Sequence, residues 1–331
     1  MSFLGDIQKS DVAFWANAVS SDGLLILVFS AFAGVALAIM IRLLVSNHIS
    51  RLFNQNAVSY THRSRTITYF QKGKPQMGKV NILKFHSEED VAVALAKYIA
   101  DLSAKFIKEN GSFSVVLSGG TLIDTLRKLL EPPYIDSIEW SKWLIFFLDE
   151  RVVPLNHPDS NYKLALDGFL SKVPIPKSNI YAINDKLSPE DAADDYEGRL
   201  KQLVNKSKLK KSGSSEFANF DLMLLGMGPD GHVASLFCWH FQRFEKTKWV
   251  TFIKDSPKPP SERITFTFPL INAASEIAMV VTGEDAADAV KIALRKASNS
   301  NSCFPLPVEK VSPVGKLTWF LDNDATSGLS R

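Results

Sequence analysis

Apolar and polar positions change their spacing several times along the chain, and each change marks an element. Val80–Phe85 is a short apolar run and reads as a strand. Glu88–Glu109 places Val91, Leu95, Tyr98, Ile99, Leu102 and Phe106 on one helical face, and Asn110-Gly111 stops it. Phe113–Leu117 predicts a strand that ends in Ser118-Gly119-Gly120. Thr121–Leu130 then predicts a helix, and Lys142–Leu148 a buried strand of the parallel kind. Asp159-Ser160 caps a helix over Asn161–Leu170, Ile180–Ile183 is a short strand, and Ser188-Pro189 opens a helix that reaches Val204. Phe220–Leu225, Trp249–Ile253, Ile264–Phe268, Ile277–Val281 and Leu317–Leu321 read as further strands, and Glu284–Lys296 as a helix. Strands alternating with helices predict an α/β fold: a Rossmann-like, doubly wound, mostly parallel sheet with helices on both faces.

The N-terminal part does not share this rhythm. Leu24–Ile41 is an uncharged run of 18 residues, which as a helix spans about 27 Å, close to the thickness of a bilayer core. Eight basic residues and no acid follow it before Glu88. The pattern predicts an N-terminal hydrophobic helix that attaches the chain to a membrane, with the body on the cytosolic side. A processed leader and a buried core helix are the competing readings. A secretory signal wants positive charge ahead of its apolar run, whereas Asp6, Asp11 and Asp22 precede this one. Plastid targeting is the alternative localisation, although a transit peptide is acid-poor from its start. The chain thus divides into an extension over 1–79, with a candidate membrane helix at 24–41 and a basic linker, and a catalytic domain over 80–331.

Composition narrows the classes. With 46% hydrophobic and 22% charged residues the chain is neither disordered nor a coiled coil. A net charge of +3, from 38 basic and 35 acidic residues, gives no basis for nucleic acid binding. Cys238 and Cys303 are too few for a disulfide framework or a four-Cys zinc site and fit a reducing compartment. The six histidines show no ligand spacing, so no metal is expected.

In doubly wound sheets, ligands bind beyond the carboxyl ends of the strands. Three strand ends here carry polar or Gly-rich clusters: Ser118-Gly119-Gly120-Thr121, Asp149-Glu150-Arg151, and Gly226-Met227-Gly228-Pro229-Asp230-Gly231-His232. The last also fits G-x-G-x-x-G, but Pro229 removes a donor a pyrophosphate would need, and no acid closes the next strand. Gly119-Gly120 brings backbone N–H groups within reach of an anion or is a plain strand-to-helix turn. His232, beside Asp230, is the candidate base. Arg151 is either an ion-pair partner or a substrate contact. Arg263, held behind Pro259-Pro260, has the two-pronged geometry that suits phosphate.

LSGG at 117–120, DERVVP at 149–154, DSNYKLA at 159–165, LLGMGPDGHVASLF at 224–237 and SPKPPSERITFTFP at 256–269 together resemble the 6-phosphogluconolactonase family in its plant form. The resemblance implies hydrolysis of 6-phosphoglucono-1,5-lactone, a sugar-phosphate lactone, in the oxidative pentose phosphate pathway, without metal or organic cofactor. It makes His232 the general base, Asp230 the residue that holds its ring, and Arg151 a stabiliser of negative charge. It puts Gly119, Gly120, Thr121, Asp149, Gly228 and Arg263 around the substrate and its phosphate. The related deaminases of glucosamine 6-phosphate share the Gly-Gly turn but resemble GHIAFNEP after the His, where Val233-Ala234-Ser235-Leu236-Phe237 stands here. Two departures matter. Cys238-Trp239-His240 replaces Pro-Gly-His, and Ala286 stands where the family often carries a phosphate-binding Lys. They leave a second reading, a membrane-tethered sugar-phosphate binder with little turnover.

Overall fold

The computed structural model describes residues 79–213, 215–295 and 305–329. The apolar run at 24–41, with the membrane helix read from it, lies outside them. Among the described residues no helix is long and apolar enough to cross a membrane.

The first half contributes strands β1 (Lys79–Lys84), β2 (Phe113–Leu117), β3 (Trp143–Phe147), β4 (Asp149–Arg151) and β5 (Ile180–Tyr181). Its helices are α1 (Glu88–Asn110), α2 (Leu122–Thr125), α3 (Tyr134–Ser137), α4 (Asn161–Gly168) and α5 (Pro189–Asn205). After it come strands β6 (Lys210–Lys211), β7 (Ala218–Asn219), β8 (Leu222–Leu225), β9 (Val250–Ile253), β10 (Arg263–Phe266), β11 (Glu276–Val281) and β12 (Lys316–Leu321). Two helices, α6 (Phe268–Asn272) and α7 (Ala287–Arg295), lie among them. Local chemistry sets several boundaries. Ser87 and Asp90 form a reciprocal capping box ahead of α1, and Gly111, at φ 78°, ends it in the left-handed conformation that costs a glycine least. Ser188 caps α5, with Pro189 in its first turn.

Among the described residues seven strands form one parallel sheet, ordered β1-β12-β11-β8-β2-β3-β5. From β2 the chain winds outward through β3 to β5, and from β8 the other way through β11 to β12. The order therefore reverses between β2 and β8. Alternation along each strand sends side chains to two separate cores. Val115, Leu117, Ile145 and Phe147 join α1 on one face, while Val116, Phe146, Met223 and Leu225 join Ala192, Tyr196 and Leu200 of α5 on the other.

Two findings go beyond the sequence reading. β9 and β10 do not belong to the parallel sheet: with β4 they form an antiparallel sheet ordered β4-β10-β9. Only nine residues separate Ile253 from Arg263, too few for the crossover that parallel strands require. Cys238 is disulfide-bonded and is not a reduced thiol. A count of two cysteines excludes a framework but not a single bridge.

Tyr196 shows how α5 is fixed to the sheet. Its buried hydroxyl donates to the Tyr181 carbonyl (2.8 Å) and accepts from the Phe147 amide (3.1 Å). Tyr196→Phe would leave both backbone groups without that partner. Its unfolding free energy in a denaturant titration is expected to fall by about 1–3 kcal/mol; an unchanged value would show that the two groups find other partners.

Candidate active site

β2 and β8 are neighbours at the point where the strand order reverses, which is where an open α/β sheet has a crevice beyond its strand ends. Ser118 N donates to Leu224 O at 3.1 Å, so the turns that leave these strands start side by side. A cavity of about 200 Å³ opens there. Its wall includes Gly119, Gly120, Thr121, Asp149, Arg151, Gly228, His232 and Arg263, eight of the nine residues singled out from the sequence. The ninth, Asp230, is not in the wall but touches His232.

The His232 ring is held from one side. Its Nδ1 lies 2.5 Å from Asp230 Oδ1, and its face packs against Phe237 with centroids 4.6 Å apart. An ionised carboxylate only accepts, so the proton sits on Nδ1 and the lone pair on Nε2. Half-burial raises the Asp230 carboxyl, but the hydrogen bond and the electrostatic attraction of His232 outweigh it and set its pKa below the usual range. Gly228 makes room for the ring: a Cβ there would come within 2.1 Å of His232 Cε1. Gly231, at φ 76°, closes the turn by donating to Gly228 O at 2.9 Å.

Arg151 and Arg263 face each other across the β4–β10 ladder. Like charges directly opposite destabilise a strand pair unless something negative lies between them. Among the described residues neither makes an ion pair within 4.0 Å. Arg263 is buried. Its Nε donates to Pro260 O (3.0 Å), its Nη2 to Lys258 O (2.7 Å) and Pro259 O (3.2 Å), and its Nη1 to Ser235 Oγ (3.3 Å). Burial first, and then the charge of Arg151, lower its pKa. With these donors used inside the protein, Arg263 offers the cavity a buried positive charge and not the two-pronged contact expected from the sequence. Arg151 gives Nη1 to Asp159 O (2.7 Å), and among the described residues its buried Nε has no partner.

Sequence reasoning gave no role to Ser235, Asn161 or Glu150. Ser235 Oγ donates to Asp149 Oδ2 at 2.7 Å, which ties the His232 loop to β4. Asn161, first residue of α4, lines the cavity and donates Nδ2 to Asp149 O at 2.9 Å. Glu150 is not among the residues that line the cavity and accepts from the amides of Arg151, Asn161 and Tyr162, each at 2.7 Å. Burial pushes its carboxyl up to about 7 against the pull of those three amides, and Asp149 adds to the rise. The DSNYKLA segment was the available signal for Asn161, but nothing in it says which side chain turns inward.

The two departures stand apart from this wall. Ala286 is buried in the core, and the cavity is lined in this stretch by Val280, Val281 and Thr282. A Lys at 286 would start from a buried Cβ, so its absence does not by itself strip the cavity. Cys238, Trp239 and His240 line a neighbouring apolar cavity of about 390 Å³. Among the described residues no group of three or more His, Cys, Asp or Glu is placed to hold a metal ion.

A family model for glucosamine-6-phosphate isomerases/6-phosphogluconolactonase matches residues 86–319. The chain belongs to this family. Within it, the chain is similar to "6-phosphogluconolactonase 3, chloroplastic" of Arabidopsis thaliana, 58% identical over 257 residues, covering 78% of this chain and 77% of the relative. It is also similar to "Probable 6-phosphogluconolactonase 4, chloroplastic" of Oryza sativa subsp. indica, 60% identical over 250 residues, covering 76% and 77%. Among solved structures, 6-phosphogluconolactonase from Trypanosoma cruzi superimposes with a TM-score of 0.65 at 25% identity, covering 78% of this chain and all of that one. The plant-type resemblance read from the sequence agrees with these relatives.

In this family member Glu150 links β4 to α4, and its raised pKa has a testable sign. A carboxyl whose folded pKa lies above its unfolded value stabilises the fold below the unfolded pKa and loses that contribution as pH rises through the folded one. The stability margin of the wild type over Glu150→Gln should therefore shrink between pH 4.5 and about 7 and stay flat above pH 8. Thermal denaturation across this range reads the margin. A margin that grows with pH would show that the three amides outweigh burial.

Proposed function

We propose that this chain is a carboxylic ester hydrolase that opens 6-phosphoglucono-1,5-lactone with water to give 6-phosphogluconate, in the oxidative pentose phosphate pathway. The names of relatives at 58% and 60% identity support the substrate. The observation that carries the chemistry is His232 in the cavity wall with its Nδ1 against Asp230 at 2.5 Å. That contact leaves Nε2 as a base toward the cavity.

In this reading Nε2 takes a proton from a water as its oxygen adds to the lactone carbonyl carbon. The imidazolium is stabilised by Asp230. The tetrahedral intermediate carries its negative charge on the former carbonyl oxygen, where the charge of Arg151 in the cavity wall and backbone N–H groups stabilise it. The bond from this carbon to the ring oxygen then breaks, and His232 returns the proton to that oxygen. One water enters, and one carboxylic acid and one hydroxyl result. The phosphate sits at the Gly119-Gly120-Thr121 turn, where Gly120 at φ 72° leaves the backbone bare, within the field of Arg151 and Arg263. Helix α2 is only four residues long, so the N–H groups of the turn itself and the two arginines supply the attraction. Asp149 orients Ser235 and through it Arg263. The departures at Ala286 and Cys238-Trp239-His240 lie off this wall, which favours turnover over the low-activity binder.

His232→Ala is expected to lower kcat by about 10²–10⁴-fold in a lactonase assay corrected for spontaneous opening. Full activity in that variant would remove His232 from the mechanism. A wild type no faster than the uncatalysed reaction would remove the function itself.

The reading extends to where the chain works. Both relatives are named chloroplastic, which favours the plastid over a membrane anchor in the cytosol. Incubated with isolated chloroplasts, the full chain is expected to become protease-protected and shorter. Recovery at full length in carbonate-resistant membranes would instead establish the membrane helix read from residues 24–41.

A further inference from the structure

The two arginines of the cavity wall are largely committed. Arg263 spends bonds from Nε, Nη1 and Nη2 inside the protein, and Arg151 gives Nη1 to Asp159 O. Ala286 offers no charge. A phosphate monoester carries close to two negative charges near neutral pH and presents acceptors only, so it gains from a cation that is still free to move.

Lys258 stands beside this wall. Its carbonyl oxygen accepts from Arg263 Nη2 and from Ser256 Oγ, each at 2.7 Å, which fixes its backbone against a cation of the cavity. Pro257, the residue before it, lines the neighbouring cavity together with Asp230. The side chain itself is not tied down. Lys258 is exposed, and among the described residues its ammonium makes no ion pair within 4.0 Å. Half-burial raises the Asp230 carboxyl, the contact with His232 more than offsets it, and the charge of Lys258 adds a smaller pull in the same direction. Backbone and charge thus put Lys258 between Arg263 and Asp230, at the edge of the cavity that His232 lines. Before the ring opens, the phosphate is the substrate's only charged group and so the partner an unneutralised ammonium attracts most. We infer that Lys258 is a further substrate-binding residue, the mobile cation that reaches over the cavity edge and pairs with the substrate's phosphate. The inference rests on the proposed substrate. A lysine suits the task, since its ammonium is a point charge on a flexible stem that follows the ligand in, and a cation at a cavity mouth also speeds the arrival of an anion.

The test compares full-length wild type, Lys258→Ala and Lys258→Arg. The bonds to Arg263 and Ser256 come from the Lys258 backbone, so both variants keep them. Calorimetry with 6-phosphogluconate and with glucitol 6-phosphate, which has the phosphate but no carboxylate, reads binding without turnover. Lys258→Ala is expected to weaken both ligands by about three- to thirtyfold, Lys258→Arg to recover most of the loss, and the gap to narrow as salt is raised. On 6-phosphoglucono-1,5-lactone the alanine variant is expected to raise KM by a similar factor with kcat nearly unchanged. Unchanged affinity in Lys258→Ala would overturn the inference, as would a wild type that binds neither ligand. Weakening of 6-phosphogluconate alone would assign Lys258 to the carboxylate of the product, and a fall in kcat at constant KM would assign it to the Asp230–His232 pair; either outcome removes it from the phosphate. A chain that binds both ligands through Lys258 but opens no lactone would keep this contact and sink the proposed activity.

Discussion

Ser235 is fully buried; it donates its hydroxyl hydrogen to Asp149 at 2.7 Å and accepts from Arg263 at 3.3 Å, while its amide donates to Thr265 Oγ1 at 3.2 Å. One small side chain thus joins β4, β10 and the loop that carries His232. A carboxylate and a guanidinium taken out of water are stable only when each finds a partner of the right polarity. The hydroxyl serves both, as donor to one and acceptor to the other. Asp149 opens β4, which ends in Arg151, and Arg263 opens β10, so the bridge ties the His232 loop to both arginines of the cavity wall. Ala234, at φ 52°, carries part of the cost: it holds a left-handed conformation uncommon outside glycine and turns the chain from His232 toward that bridge.

The antiparallel β4–β10 ladder has a second effect. It sets Arg151 opposite Arg263, like charges that Asp149, Asp159 and Glu150 partly offset and whose remaining repulsion an anion in the common field would relieve. Part of the attraction for a charged substrate is therefore the relief of a repulsion already built into the strand register. Leu148 ties that register to the large sheet: its amide donates to Leu117 O at 2.9 Å and its carbonyl accepts from Phe266 N at 2.8 Å.

Much of this was legible in the sequence because the large sheet writes its pattern locally. Apolar runs such as Val115–Leu117 and Leu222–Leu225 end in Gly-rich or charged clusters, and the parallel order brings those ends together. The side-by-side placement of β2 and β8 makes one cavity out of two distant segments. What stayed illegible depends on partners far along the chain. Ser235 gains its meaning from Asp149, 86 positions away, and nothing in its neighbours marks it. The run at Val250–Ile253 looks the same whether it pairs in the large sheet or in the small one; only the length of the connection to β10 separates the cases. Ala286 shows the reverse difficulty. A family pattern picked out the position, while the backbone puts its Cβ in the core.

Gly228 gives the G-x-G spacing of the His loop another sense. In a dinucleotide fold a bare Cα admits a pyrophosphate, whereas here it admits the imidazole of the chain's own His232, whose Cε1 lies 2.1 Å from where a Cβ would be. The bareness is used up internally, so a nucleotide would have to compete with a covalently attached occupant whose effective concentration no free ligand can match. Any heavier residue at 228 would act as a wedge between the ring and Asp230, and the tautomer would lose the contact that fixes it. The motif is thus best understood as a vacancy reserved by the backbone, and its tenant is decided by the residue four places on.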